Sequence, residues 1–183
     1  MKKNILYFSL YFSLTILIIV YSFLNGSMLE EKIVELKFLY LEDAIYIFAI
    51  NSLQVLFWFL LSPFGLSLPF IFKFIYSMGQ APHNTEIDGF WYYLSSIAHG
   101  VGEIIVSFIV FMFTIKQFYF FYLFLKTKQA NDLKRLYIEL LKKYIPISII
   151  ILFISAIFEV YISNRIILNI QSFGLMDWMG AIL

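Results

Sequence analysis

Apolar residues in this chain gather into long runs that short polar segments separate. A transmembrane helix needs about 20 predominantly apolar residues. Five runs approach or reach that length: 5–24, 44–61, 65–78, 91–115 and 145–163. The third run is the shortest, and Ser62-Pro63-Phe64-Gly65 separates it from the second by a predicted turn. The pattern predicts an all-α, polytopic membrane protein with about five transmembrane helices in one membrane domain, 1–183.

The first run, 5–24, has a signal peptide as its rival interpretation. It is longer than the apolar region of about 7–15 residues that signal peptides carry, and no small-residue cleavage site follows it. We therefore expect a retained span.

Charges between the runs predict the orientation of the chain. Lys2 and Lys3 precede the first run, and the segment 116–143 has a net charge of +5. The segment 25–43 has a net charge of −3, and the charged residues of 79–90 are all acidic. Five spans place the amino terminus and 116–143 on the same side, which the positive-inside rule makes cytoplasmic. We expect a multi-pass protein of the cell membrane, and a bacterial cytoplasmic membrane in particular.

One connecting segment, about 131–144, has the pattern of an amphipathic helix. Its apolar positions recur on one face: Leu133, Leu136, Tyr137, Leu140, Leu141 and Tyr144. Its basic residues lie largely off that face: Lys134, Arg135, Lys142 and Lys143. Such a helix suits a surface of anionic membrane lipids, or the docking of a cytoplasmic partner such as an ABC-type ATPase.

Weaker signals lie toward the opposite side of the membrane. Leu29, Ile33, Leu36 and Tyr40 form a less regular amphipathic pattern, and the tail, 164–183, is predicted to be an interfacial segment rather than a sixth span.

Composition narrows the class of protein. Hydrophobic residues make up 62% of the chain and charged residues 14%, where a soluble domain carries about 45–50% and about 25%. The net charge of +1, with basic residues scattered among apolar runs, argues against nucleic acid as a partner. Cysteine is absent, which excludes disulfides and thiolate chemistry, and no Walker, Rossmann or nucleophile-elbow motif is present. We predict no cofactor.

Polar residues inside the predicted spans are the candidates for function, because an ionisable side chain at mid-membrane costs about 2.5–3.5 kcal/mol. They are Asn51, Gln54, Lys73, His99, Glu103 and Glu159. His99 and Glu103 are four residues apart and share a helix face, with Gly100 and Gly102 between them to permit close helix packing. We predict a buried cluster centred on His99, Glu103 and Glu159, with Lys73 as a counter-charge.

Three interpretations of this cluster stay open. The polar side chains can simply hold helices together, at about 0.6 kcal/mol for each interaction. They can line a pocket for transport or for a peptide. One imidazole and two carboxylates can also bind a metal or transfer protons. No HExxH motif supports the metal, so no metal ligands are assigned.

Two motifs carry a family resemblance. Ala98-His99-Gly100-Val101-Gly102-Glu103 opens the fourth span, and Ile157-Phe158-Glu159-Val160-Tyr161-Ile162-Ser163 closes the fifth. The pairing resembles the stage II sporulation protein M family, in which a His-Gly-x-x-Glu motif precedes a later glutamate near the end of the last span. Asn51 and the Phe64-Gly65 turn fit the same layout.

The resemblance implies a membrane subunit of a larger complex. Relatives of this family found beside bacteriocin genes imply a role in maturation, export or immunity of a hydrophobic peptide, such as a circular bacteriocin. A sporulation-type scaffold that recruits cell-wall enzymes through 25–43 and 164–183 is the first alternative. The second is an intramembrane peptidase or peptide cyclase that uses His99, Glu103 and Glu159.

Overall fold

The computed structural model describes residues 2–26, 37–84 and 89–170, and this part of the chain is helical, without β-strands. Its α-helices are α1 Lys2–Asn25, α2 Leu41–Leu61, α3 Ser67–Gln80, α4 Gly89–Thr127, α5 Asn131–Glu139 and α6 Ile145–Phe158. Short 3-10 turns follow α2 and α3, and π-helical turns, Leu140–Tyr144 and Glu159–Ser163, follow α5 and α6. The prediction of an all-α protein is confirmed.

Helices of membrane-spanning length dominate the described residues. Four stretches are long and apolar enough to cross a membrane: Leu6–Asn25, Leu41–Phe64, Gly89–Thr127 and Asn131–Ile170. Large apolar side chains cover their outward surfaces; Leu24, Leu53 and Leu60 are 74%, 64% and 69% exposed. Monomeric soluble proteins do not expose apolar surface on this scale, whereas lipid solvates it. The chain is therefore a polytopic membrane protein, and its orientation across the membrane stays a prediction.

The helix predicted over 65–78 is α3, whose 14 residues span about 21 Å against a hydrocarbon layer of about 30 Å. It is too short to count among the four membrane-length helices. The break before it has the predicted cause, because Pro63 lies in the 3-10 turn and Gly65 adopts a left-handed conformation with φ 69°. Pro69 lies in the first turn of α3, where its missing N–H is tolerated.

The chain nevertheless reverses direction at each connection. Asn51 and Phe59 of α2 meet Glu103 and Phe113 of α4 in the same order, so these two helices are parallel. Cross-helix contacts place α1, α3 and α6 antiparallel to α4. We call the end where α4 begins the outer end, and the opposite end the inner end.

The predicted surface helix over 131–144 is not a separate element. Residues 131–170 form one continuous helix, so no new helix starts at the beginning of the fifth predicted run, 145–163. Pro146 has no backbone N–H to donate, and the π-helical turn just before it closes with a wider bond, from the Ile145 N–H to the Leu140 carbonyl.

The apolar face of α5 covers α4 rather than lipid alone, since Leu136 and Leu140 are buried in the core. The predicted basic residues Lys134, Arg135, Lys142 and Lys143 are all exposed.

The core lies around α4. Val106, Val110 and Phe113 are fully buried there, and Ile71 and Ile75 of α3 are fully buried against the same cluster. Because α4 contacts α2, α3, α5 and α6, polar side chains on its inward face can reach each of these helices.

Two predicted outer segments fall largely outside the described residues. Leu29, Ile33 and Leu36 lie there, as does the tail from residue 171 onward. The described part of the tail, 164–170, continues the last helix. Asn164 accepts a hydrogen bond from the Leu39 backbone N–H at 3.1 Å, and this bond fixes the segment that leads into α2.

Candidate functional site

One face of α4 carries polar residues along nearly its whole length. They are Ser95, His99, Glu103, Ser107, Thr114 and Gln117, at spacings of three, four and seven residues. Such spacings keep side chains on one side of a helix. Four of the six are buried, and the histidine and glutamate are partly buried, so this polar face of α4 points into the bundle.

Glu103 binds to α2. Asn51 Nδ2 donates a hydrogen bond of 2.8 Å to Glu103 Oε1. Asn51 lies ten residues into α2, or about 15 Å from the outer end of that helix, close to mid-membrane. The predicted association of Asn51 with Glu103 is therefore present, and this hydrogen bond joins α2 to α4 close to mid-membrane.

His99 binds to the end of α6. Its Nδ1 lies 2.9 Å from Ser163 Oγ, and Ser163 is the last residue of the π-helical turn that Glu159 opens. The Asn164 N–H closes this turn on the Glu159 carbonyl, which is the wide bond of a π-turn. The additional residue in the turn changes the direction of the following side chains, and turns of this kind recur at functional sites.

Glu103 and Glu159 lie on neighbouring helices, since Glu159 opens the π-helical turn whose last residue, Ser163, contacts His99 one helical turn from Glu103. Among the described residues neither carboxyl group forms an ion pair, since the salt bridge found there joins Arg135 to Glu139. In this part of the chain the two acidic groups are therefore left without a cation.

The glycines of the motif admit close packing, as the sequence suggested. A Cβ on Gly102 would lie 2.0 Å from Ser155 Oγ of α6, so no side chain fits there with Ser155 in its present rotamer. Gly100 instead faces Met78 of α3, whose Cε would be 3.4 Å from an added Cβ. The contact of α4 with α6 at Gly102 brings His99 and Glu103 close to the π-helical turn.

A cavity of about 260 Å³ lies beside these residues, between α1, α3 and α4. His99, Glu103 and Tyr92 supply its polar lining, and Ile19 and Met78 are among its apolar lining residues. Two further lining residues, Ile97 and Val101, are 59% and 42% exposed on the lipid-facing surface. We call this space the lateral cavity, because its rim is continuous with the surface that faces lipid.

On its α2 side, Glu103 borders a much smaller void of about 10 Å³, lined also by Asn51, Gln54, Trp58 and Phe74. Such a volume is near the minimum that one water molecule needs. Glu103 therefore lies between this small void and a cavity large enough for a side chain. Gln54, which the sequence also singled out, belongs to this void.

Lys73 stands apart from the cluster. Its side chain is exposed, and in the part of the chain that the structure describes it makes no ion pair with Glu103 or Glu159. Lys73 therefore does not supply the expected counter-charge to the cluster. A long lysine side chain can instead extend along the surface of the bundle toward the interface.

The possible metal site does not form either. No group of three His, Asp or Glu side chains converges within the described residues. His83, the second histidine, binds elsewhere, with Nε2 2.8 Å from the Phe23 carbonyl oxygen.

A second polar network lies at the inner end, and the sequence reasoning missed it. Ser62 Oγ donates to Gln117 Oε1 at 2.7 Å, and Gln117 Nε2 donates to the Tyr137 hydroxyl. Ser67 Oγ and Thr114 Oγ1 are 2.9 Å apart. Ser67 and Thr114 lie inside predicted apolar runs, and Ser62 and Gln117 lie just beyond the ends of two of them, so none was singled out. The periodic spacing on α4 would have revealed Thr114 and Gln117.

Ser163 and Tyr92 were missed for the same reason. Only the contact with His99 distinguishes Ser163 from the other serines of the last helix, and that contact depends on the π-helical turn.

Compared with protein-family models, with curated proteins and with solved structures, the chain matches none of them.

Proposed function

We propose that this protein is a membrane subunit that receives a hydrophobic peptide from the bilayer, within a complex for the maturation, export or immunity of that peptide. One observation supports the proposal above the others. Glu103 lines a cavity that opens toward lipid, and neither Glu103 nor Glu159, both within membrane-length helices, forms an ion pair among the described residues. Ionisable groups in this setting are costly to keep and mark substrate paths.

The chemistry of the lateral cavity defines the part of the peptide that it takes. Its lining is mostly apolar, which suits aliphatic and aromatic side chains, and Glu103 together with Tyr92 supplies the polar end. A cationic group, such as a lysine side chain or a free amino group, would pair with Glu103 and feel the charge of Glu159 as well. The proposed ligand is therefore an apolar peptide segment with one positive group.

The resemblance to the stage II sporulation protein M family supports the wider context, including a circular bacteriocin as cargo and an ABC-type ATPase as the energy-supplying partner. The exposed basic residues of α5 and the following turn are at the end predicted to be cytoplasmic, where such an ATPase would dock.

The test uses the full chain in liposomes and a model transmembrane peptide of leucine and alanine with one central lysine. A photo-crosslinking residue replaces Ile97 at the rim of the lateral cavity or, as a matched control, Leu53, which is exposed on α2. We expect crosslinking from position 97 and little from 53. The same peptide with a central leucine should crosslink much less.

Glu103→Gln should reduce the preference for the lysine peptide about tenfold, because the charge-assisted bond becomes a neutral one. Glu42→Gln, at an exposed acidic residue in the first turn of α2, is the control and should leave the preference unchanged. Equal crosslinking of the two peptides, or an undiminished preference in Glu103→Gln, would contradict the proposal.

One observation favours the enzymatic alternative. Ser163 Oγ lies 2.9 Å from His99 Nδ1, which is the distance at which a histidine activates a serine nucleophile. Against it, Ser163 is 1% exposed, so a peptide bond cannot reach its oxygen in this conformation. A peptidase or cyclase would lose all activity in Ser163→Ala, Glu103→Gln and Glu159→Gln variants that still insert and fold; a peptide-binding subunit would keep its binding in Ser163→Ala.

A further inference from the structure

The inner end of the bundle contains a second, larger cavity of about 460 Å³. Tyr7 of α1 lines it, together with the inner part of α4 and one face of α5. It is separate from the lateral cavity, since the two share no lining residue. We call it the inner cavity. Its volume falls in the range of about 300–1,000 Å³ that small-molecule sites occupy.

This cavity lies at the boundary between hydrocarbon and water. Along α4, Lys116 is the first charged residue after Glu103, and its Nζ donates to the Tyr144 hydroxyl at 2.6 Å. Lys142 and Lys143 are exposed at the same level of the neighbouring helix. We infer from these three lysines that the headgroup layer begins near this level. Met112 and Ile115 line the cavity on the hydrocarbon side of that level.

Charged residues of both signs line the side of the inner cavity opposite Met112 and Ile115. Lys116 and Arg135 supply two positive groups, and Asp132 and Glu139 supply two negative groups. Arg135 Nε lies 3.7 Å from Glu139 Oε1, which is a loose pair that leaves the remaining guanidinium N–H groups available. Asp132 makes no ion pair within the described residues. The lining is thus neutral overall but contains separated positive and negative groups.

A ligand that matches this lining is itself a zwitterion with an apolar tail. An anionic lipid would satisfy Lys116 and Arg135 but would bring its negative charge close to Asp132 and Glu139. A phosphate joined to a primary ammonium group satisfies both pairs, since guanidinium binds phosphate oxygens in a bidentate manner and carboxylates accept ammonium N–H bonds. Acyl chains would continue along Met112 and Ile115.

We propose that the inner cavity binds the headgroup of a zwitterionic aminophospholipid of the phosphatidylethanolamine class. The phosphate lies on Lys116 and Arg135, and the ammonium group lies on Asp132 and Glu139. Tyr7 and Tyr119, two aromatic residues at the interface level, flank the site. This binding is independent of the peptide proposed for the lateral cavity.

The test measures lipid binding by the full chain in detergent, by native mass spectrometry and by thermal unfolding. The probes are phosphatidylethanolamine, phosphatidylcholine and phosphatidylglycerol with identical acyl chains, and the water-soluble glycerophosphoethanolamine. We expect phosphatidylethanolamine to bind at least several-fold more tightly than either of the other lipids. Phosphatidylcholine has the same charges but no ammonium N–H, so it tests the carboxylate bonds directly.

Asp132→Asn should weaken phosphatidylethanolamine binding about tenfold and remove its advantage over phosphatidylglycerol, because an amide does not replace a charge-assisted bond. Asp132 is exposed, so the variant is expected to fold. Lys126→Gln, an exposed residue that does not line the cavity, is the matched control.

Four outcomes would overturn the proposal. Equal or tighter binding of phosphatidylglycerol would make the site anion-selective, and equal binding of phosphatidylcholine would exclude the carboxylate–ammonium contact. Glycerophosphoethanolamine binding as tightly as the lipid would make the ligand a soluble phosphate compound. An unchanged lipid preference in Asp132→Asn would place the binding elsewhere. If that variant fails to fold, the comparison of lipids on the unaltered chain decides.

Discussion

Gly79→Ala tests the packing of α1 against α3. Gly79 is buried near the outer end of α3, and a Cβ there would lie 2.6 Å from the Ile19 carbonyl oxygen and 2.7 Å from Ser22 Cβ. Ordinary contact begins near 3.4 Å, so the two helices must separate by about 0.8 Å at this point. The opposing atom belongs to the backbone of α1 and cannot rotate away. We expect a loss of about 1–3 kcal/mol in the free energy of unfolding.

Gly100→Ala is the matched control. There an added Cβ would meet only Met78 Cε, at 3.4 Å, and this atom is the flexible end of a side chain. Both variants replace glycine by alanine in a helix, so both gain up to about 1 kcal/mol of helix propensity. The difference between them therefore isolates the clash.

The assay is reversible unfolding in mixed micelles, followed by far-ultraviolet circular dichroism as the denaturing detergent increases. Gly79→Ala should unfold at a lower detergent fraction than the unaltered chain, while Gly100→Ala should stay at or above it. Coincident transitions for the two alanine variants would refute the described approach of α1 and α3.

Substitutions at three further positions probe other parts of the fold, each measured by the same unfolding assay. Gly65→Ala should cost about 1–2 kcal/mol or more, because φ is 69° and a Cβ would lie 2.6 Å from Phe118 Cζ; Gly65→Asn, which tolerates this backbone better, should still clash. Gln117→Leu should cost about 0.5–1.5 kcal/mol, because the Ser62 hydroxyl loses its side-chain partner but keeps its bond to the Phe59 carbonyl, and a neutral effect would contradict the inner network. Tyr11→Phe, which removes one interhelical hydroxyl, should cost about 0.6 kcal/mol, and a loss above about 2 kcal/mol would show a role beyond that single bond.

Hydropathy predicted the positions of the helices because the membrane itself requires long apolar segments. Lipid requires about 20 apolar residues in a span, and the positions of α1, α2 and α4 follow from that requirement. The continuity of α5 with the last span did not follow from hydropathy. Proline usually marks a helix start, but the π-helical turn before Pro146 accommodates it inside a longer helix.

Part of the candidate site could also be predicted. His99 and Glu103 were placed on one face by their spacing alone, and the hydrogen bond to Asn51 is consistent with the cost of leaving polar groups unpaired in lipid. Lys73 was assigned to the cluster because it lies inside a predicted span, yet its place in the span says nothing about the direction in which its side chain points, and this side chain is exposed. The position of the Ser163 side chain depends on the π-helical turn, and no periodic pattern in the sequence indicates that turn.

The polar face of α4 has a consequence for biosynthesis. Helices α1, α2 and α3 leave the ribosome first, and they carry Tyr11, Asn51 and Ser67, whose partners all lie on α4. Until α4 is inserted, these side chains have only water, lipid headgroups or the insertion machinery to bind. A nascent chain that stalls before residue 89 therefore presents unmatched polar groups within the bilayer, which is the state that chaperones and membrane proteases detect. Entry of α4 is the step that releases the chain from such surveillance.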